Sequence, residues 1–133
     1  MAKATSNTTA NLAGETIEVN DGLDAKVIVN ALGDIPGGRT LDMSNWSGDV
    51  LLSGHVIIEQ GGVYKPLGLS GTSYDSVPGD ANVVGILRFS ILKKDPRAAI
   101  VTMGQINAAA CPYPITSTIA ATLPHIEFLY MDA

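Results

Sequence analysis

The chain has 133 residues, a formal net charge of −5 and a single cysteine. That length suits one domain with its own core, and one cysteine excludes an intrachain disulfide. The acidic balance leaves no basic stripe to neutralise phosphates, which argues against nucleic acid as a partner. At 46% apolar and 16% charged residues the chain is too apolar for disorder, yet no run is long enough to span a bilayer, so no membrane partner is expected.

Residues 1–14 are Thr, Asn, Ala and Ser with one large aliphatic, Leu12. Such a segment cannot fill a core, so it reads as an arm, either frayed or ordered by adding a strand to a partner's sheet edge. It has no apolar signal region, which points to synthesis in a reducing cytoplasm. "GETIEVNDG" follows, where Thr16, Ile17 and Val19 favour a strand and Asn20-Asp21-Gly22 a turn. The organisation expected is an N-terminal arm over residues 1–22 and one β-rich domain over residues 23–133.

"AKVIVNAL" (Ala25–Leu32) predicts a strand, closed by Pro36-Gly37, a type II turn signal. The sole tryptophan, Trp46, lies in "TLDMSNWSG" and is either a core plug or a binding residue; its N–H needs a partner if buried. "DVLLSGHVIIEQGGVYKPLGL" reads as a meander with strands at 50–52, 55–59 and 63–67, the last two joined by a Gly61-Gly62 hairpin turn. Ser70–Asn82 reads as a loop. "NVVGILRFSILKKDPRAAIVTMGQI" (Asn82–Ile106) reads as two apolar strands around a charged corner, with Asp95-Pro96 opening a type I turn. The cluster Lys93, Lys94 and Arg97 belongs to that corner and reads as solvated. Pro112 and Pro114 force an extended approach to the one predicted helix, with Thr116 or Ser117 as cap, Ile119, Ala120 and Leu123 on one face and Pro124 as its end. "HIEFLYM" predicts a closing strand.

The sequence offers little chemistry. His55, Cys111 and His125 are widely separated and lack metal-ligand spacing. Cys111 precedes Pro112 and reads as a small hydrophobe, away from any helix N-terminus that would make it a thiolate. No Gly-x-Ser-x-Gly elbow or phosphate loop is present. Six of the nine aspartates (Asp21, Asp24, Asp34, Asp75, Asp80 and Asp95) fall in turn contexts, where Asp bonds the nearby backbone. Two carboxylates could still converge in space. The reading expects no catalytic residues, no metal and no cofactor.

"NVVGILRFSIL", a charged turn, "AAIVTMGQINAAACPYPI", a helix and a final strand resemble the C-terminal half of tailed-phage head decoration proteins of the lambda type. Val84-Gly85-Ile86-Leu87, Gly104 and Pro112/Pro114 stand at the places of that family's signature. "TLDMSNWSGDVLLSGHVIIEQGGVYKPL" (Thr40–Leu67) and Ala98–Ile115 resemble head-fibre or auxiliary capsid proteins of phages of Bacteroides-type bacteria. The likeness covers about residues 40–130. It implies a mainly β fold with one short helix, a compact decoration-type domain with an extended N-terminal arm. It also implies a non-enzymatic homotrimer at threefold and quasi-threefold points on the outer surface of the virion capsid. The partner would be the major capsid protein, contacted through the arm at Leu12, Thr16, Ile17 and Val19. Rival readings are the base of a head fibre, a small ligand-binding β-barrel and an enzyme with convergent carboxylates.

Overall fold

The computed structural model describes residues 7–12, 15–20 and 24–131, with side chains described from residue 26 onward. The chain is mainly β with short helical pieces. At its start, β1 (Asn7–Leu12) pairs antiparallel with β2 (Glu15–Asn20) from Asn7↔Asn20 to Leu12↔Glu15. The Thr- and Asn-rich start, read from sequence as an arm either frayed or ordered on a partner's sheet edge, thus contributes a strand that pairs within its own chain. The side chains of Leu12, Thr16, Ile17 and Val19 lie outside the described residues.

The predicted strand at Ala25–Leu32 begins later than expected. One helical turn, α1 (Asp24–Val27), precedes β3 (Ile28–Asp34). Val27 is 1% exposed, so the turn delivers it to the core before the chain straightens.

The main sheet runs β14-β13-β10-β6-β7, with β3 also paired to β13. Its strands are β6 (Val56–Gln60), β7 (Val63–Pro66), β10 (Ala81–Leu87), β13 (Ile100–Asn107) and β14 (Ile126–Leu129). The sheet does not close into a barrel: among the described residues β3 and β7 keep a free edge. Gly61 (φ 60°) and Gly62 (φ 83°) make the tight β6–β7 turn the sequence predicted. Pro36 and Gly37 (φ 75°) likewise form a type II turn closed by Gly38 N–H donating to Ile35 O at 3.1 Å.

Successive residues of the central strands feed two cores, as strand alternation requires. Val56, Ile58, Ile86, Val101 and Ile106 join Val27, Leu67, Tyr74, Ile119, Leu123 and Ile126 on one face. Ile57, Leu87 and Ile100 join Leu41, Met43, Leu51 and Ala98 on the other. Covering both faces leaves the central strands nearly uniformly apolar.

The charged corner is more elaborate than a hairpin loop. β10 and β13 pair only at Ile86↔Val101 and Leu87↔Ile100. Between them, β11 (Ile91–Leu92) pairs with β5 (Val50–Leu51), and β12 (Arg97–Ala98) pairs with β4 (Arg39–Thr40). These two ribbons carry the residues that cap the second core. The turn itself is centred on Lys93-Lys94, since Asp95 N–H donates to Leu92 O at 3.0 Å. Asp95 thus ends the turn and does not open it.

Two further elements depart from expectation. The predicted loop 70–82 begins with a small hairpin, β8 (Leu69–Ser70) with β9 (Ser73–Tyr74), which drops Tyr74 into the core. The closing strand β14 lies parallel to β13, from Gly104↔Ile126 to Asn107↔Leu129. The crossover carries a 3-10 turn at Ala108–Ala110 and α2 (Ser117–Thr122). α2 is capped as predicted: the Thr116 hydroxyl accepts from Ile119 N–H at 3.3 Å.

Gly85 and Gly104 sit where backbones meet. A Cβ on Gly85 would collide with Val101 O. Gly104 (φ 147°) lies between β3 and β14, and a Cβ there would strike Asn30 O. Both positions need glycine for close approach.

Candidate functional site

Aromatics are scarce in this chain, but three of them gather at one place around His55. The imidazole is fully buried. Its Nε2 lies 2.8 Å from Leu67 O, so Nε2 carries the proton and Nδ1 is the lone pair. Nδ1 is buried with no hydrogen-bond partner among the described residues. Trp46, Tyr74 and Tyr113 pack edge-on to the ring at centroid distances of 5.1, 5.1 and 5.7 Å. Burial lowers the His55 pKa to about 4, against a partial offset from the Leu67 carbonyl. Tyr74 is pushed up chiefly by burial, and its hydroxyl accepts from Val56 N–H at 3.1 Å. Cys111 is half-buried, and burial pushes its thiol up to about 12. It is a packing residue, as the sequence indicated, and an inert thiol. His125 faces solvent. Among the described residues no three His, Cys, Asp or Glu side chains group to hold a metal ion.

Trp46 is half-buried. Its ring backs onto His55, and it also lines a groove of about 200 Å³. The indole is held firmly: Nε1–H donates to Val50 O at 3.1 Å, and its backbone N–H to Met43 O at 3.0 Å. The Lys93 ammonium donates to Trp46 O at 2.5 Å. Lys93 is therefore a structural tie and not a solvated corner residue.

The groove lies between the loop after β4, strands β6 and β7, and the segment after β9. Ile58, Pro66, Leu67 and Pro78 give it apolar surface, while Asp42, Asn45, Gln60, Lys65, Asp75 and Ser76 give it polar groups. The Ser44 hydroxyl and amide hold the Asp42 carboxyl below its usual range, with Lys65 adding to the effect. Asp75 Oδ1 accepts from the Ser70 hydroxyl, and Gln60 Nε2–H donates to Asp80 at 2.7 Å. Asp42 and Asp75, on loops far apart in sequence, thus share one groove. Sequence reading allowed two carboxylates to converge but could not name the pair, because the signal is a fold-dependent meeting of loop residues. The Gly71-Thr72 turn, glycine first as in a type II′ hairpin, was the available cue to the hairpin that leads into Asp75.

Elsewhere ion pairs form, although Asp34 Oδ1 is buried with no hydrogen-bond partner among the described residues. Arg97 forks onto Asp95 at 2.8 and 2.9 Å, and Arg88 meets Asp34 at 2.7 Å. No helix is long and apolar enough to cross a membrane. The apolar groups left exposed include Val29 (43%), Leu32 (66%) and Met103 (44%), on β3 and its neighbour β13. β3 against β13 has register shifts on either side of Ala31 and Asn30, so the edge is bulged. Against protein-family models, curated proteins and solved structures, the chain gives no match.

Proposed function

We propose that this chain is a capsid decoration (auxiliary capsid) protein of a tailed phage. It assembles as a homotrimer on the outer face of the virion and clamps the major capsid protein without catalysing a reaction. The observation that carries this reading is the edge of β3. Among the described residues β3 pairs only with β13, and it exposes Val29 and Leu32 beside Met103. Although bulges interrupt its ladder with β13, an edge with apolar side chains offers a neighbouring chain both unpaired backbone groups and apolar area. The β1–β2 hairpin pairs within itself and offers further strand edges, consistent with capsid contact through the segment that holds Leu12, Thr16, Ile17 and Val19. The net charge of −5 also suits an outward-facing protein, since it draws no packaged DNA to it. A stable clamp needs roughly 1,000 Å² of buried interface, which repeated contacts across a closed trimer can supply.

The test is co-sedimentation of the purified chain with expanded shells of its phage. The reading expects saturable pelleting that is abolished by deleting residues 1–22, with the melting temperature of the remaining domain unchanged. A full-length chain that stays in the supernatant at every shell concentration overturns it.

A further inference from the structure

The geometry points to a second, independent capacity: the Trp46 groove binds a single neutral sugar ring, free or as one unit of a longer glycan. This does not rest on the capsid reading. The argument starts from size. A groove of about 200 Å³ holds the liquid volume of roughly seven waters and falls below the usual range for drug-sized pockets. One ring with its hydroxyls fits, and an extended ligand does not.

Charge selects the class. The groove carries two carboxylates, Asp42 and Asp75, against one ammonium, Lys65. An anion would meet net repulsion, and a compact cation would have to displace or tolerate Lys65. A wholly apolar ligand would strip water from both carboxylates without replacing it, at a cost of kilocalories per group. A polyol satisfies all of them. Its hydroxyls donate to Asp42 and Asp75 and accept from Asn45 and Lys65, while its C–H face packs on the indole.

Preorganisation completes the case. Trp46 is fixed from behind by His55 and by bonds to Val50, Met43 and Lys93. Asp75 is anchored through Oδ1 to Ser70, which leaves its second carboxylate oxygen, Oδ2, to face a ligand. Gly68 makes room for it: a Cβ there would come within 2.9 Å of Oδ2. Gln60 is likewise anchored by its amide nitrogen to Asp80. Groups held in place before binding lose little freedom on binding.

Trp46 is the only tryptophan, so its emission reports from the groove itself. The full chain is titrated to tens of millimolar with the methyl glycosides of glucose, galactose, mannose and N-acetylglucosamine. At least one should give a saturable emission change. Asp75→Asn and Asn45→Ala, both at exposed positions, should each weaken it at least about tenfold, since a site built to bond hydroxyls is sensitive to each partner. Their unchanged melting temperatures show that they fold. The matching oligosaccharide separates the sources: equal or tighter binding identifies a glycan unit, and weaker binding a free sugar. The proposal is overturned if no glycoside shifts the emission, if both variants bind like the wild type, or if inorganic phosphate or spermidine saturates the site instead.

Discussion

The Nε2–H of His55 donates to the carbonyl of Leu67 across 2.8 Å, inside a core that gives the ring no exposure. That bond ties the residue before β6 to the residue after β7 and fixes the imidazole tautomer, while burial keeps the ring neutral. Protonation would place a charge beside Trp46, Tyr74 and Tyr113, none of which is an anion at neutral pH.

A pH dependence follows. The His55 pKa is depressed from 6.5 to about 4 in the folded state, so the unfolded chain binds this proton first as pH falls. Above about 6.5 both states are neutral and stability is flat. Between 6.5 and 4 stability drops by about 1.4 kcal/mol per pH unit, roughly 3 kcal/mol in all, and below 4 this contribution levels off. Urea unfolding of wild type and His55→Phe across that range tests it. The wild type's advantage over the variant at neutral pH should shrink as pH falls and vanish or reverse by about pH 4. A constant difference would show that His55 does not titrate this way. At pH 7 the variant should itself lose about 1–3 kcal/mol, because Leu67 O is left without its donor.

Gly104→Ala should destabilise the protein by at least about 2 kcal/mol, because it combines a disfavoured positive φ with a clash. The clash is with Asn30 O, at the point where β3, β13 and β14 meet. Thermal unfolding measures it. A loss below half a kilocalorie would mean that β3 can move aside.

Thr116→Ala should cost about 1 kcal/mol, the usual value of an N-cap side chain. The bond lost is that to Ile119 N–H, and Ile119 anchors α2 in the core. Thr116→Ser should recover most of the loss in the same melt.

The pattern of what the sequence revealed has physical reasons. The β6–β7 hairpin, the Pro36-Gly37 turn and the α2 cap are local: each depends on residues within a few positions, and each was legible. The parallel pairing of β14 was implicit in a strand–helix–strand order, since parallel neighbours need such a crossover, but edge apolarity alone did not show which strand it joins. The β4–β12 and β5–β11 ribbons join segments distant in sequence, so the intervening residues looked like one charged corner. The Trp46 groove was hidden for the same reason. An average aromatic content of 5% does not reveal that Trp46, Tyr74 and Tyr113 converge on His55 from three separate segments.

Leu32 separates a surface used for assembly from one that is merely exposed. At 66% exposure its replacement by Asp should change folding stability by no more than about 0.5 kcal/mol. The same change should weaken self-association in light scattering and shell binding in sedimentation. A variant that assembles like the wild type would remove β3 from the interface.

The most direct measurement is electron cryomicroscopy of the phage's virions with this domain fitted to the density. The account predicts copies on the outer capsid surface around threefold and quasi-threefold points, with the β3 edge or the N-terminal hairpin against a neighbouring chain. Mature shells that carry no such density would contradict it.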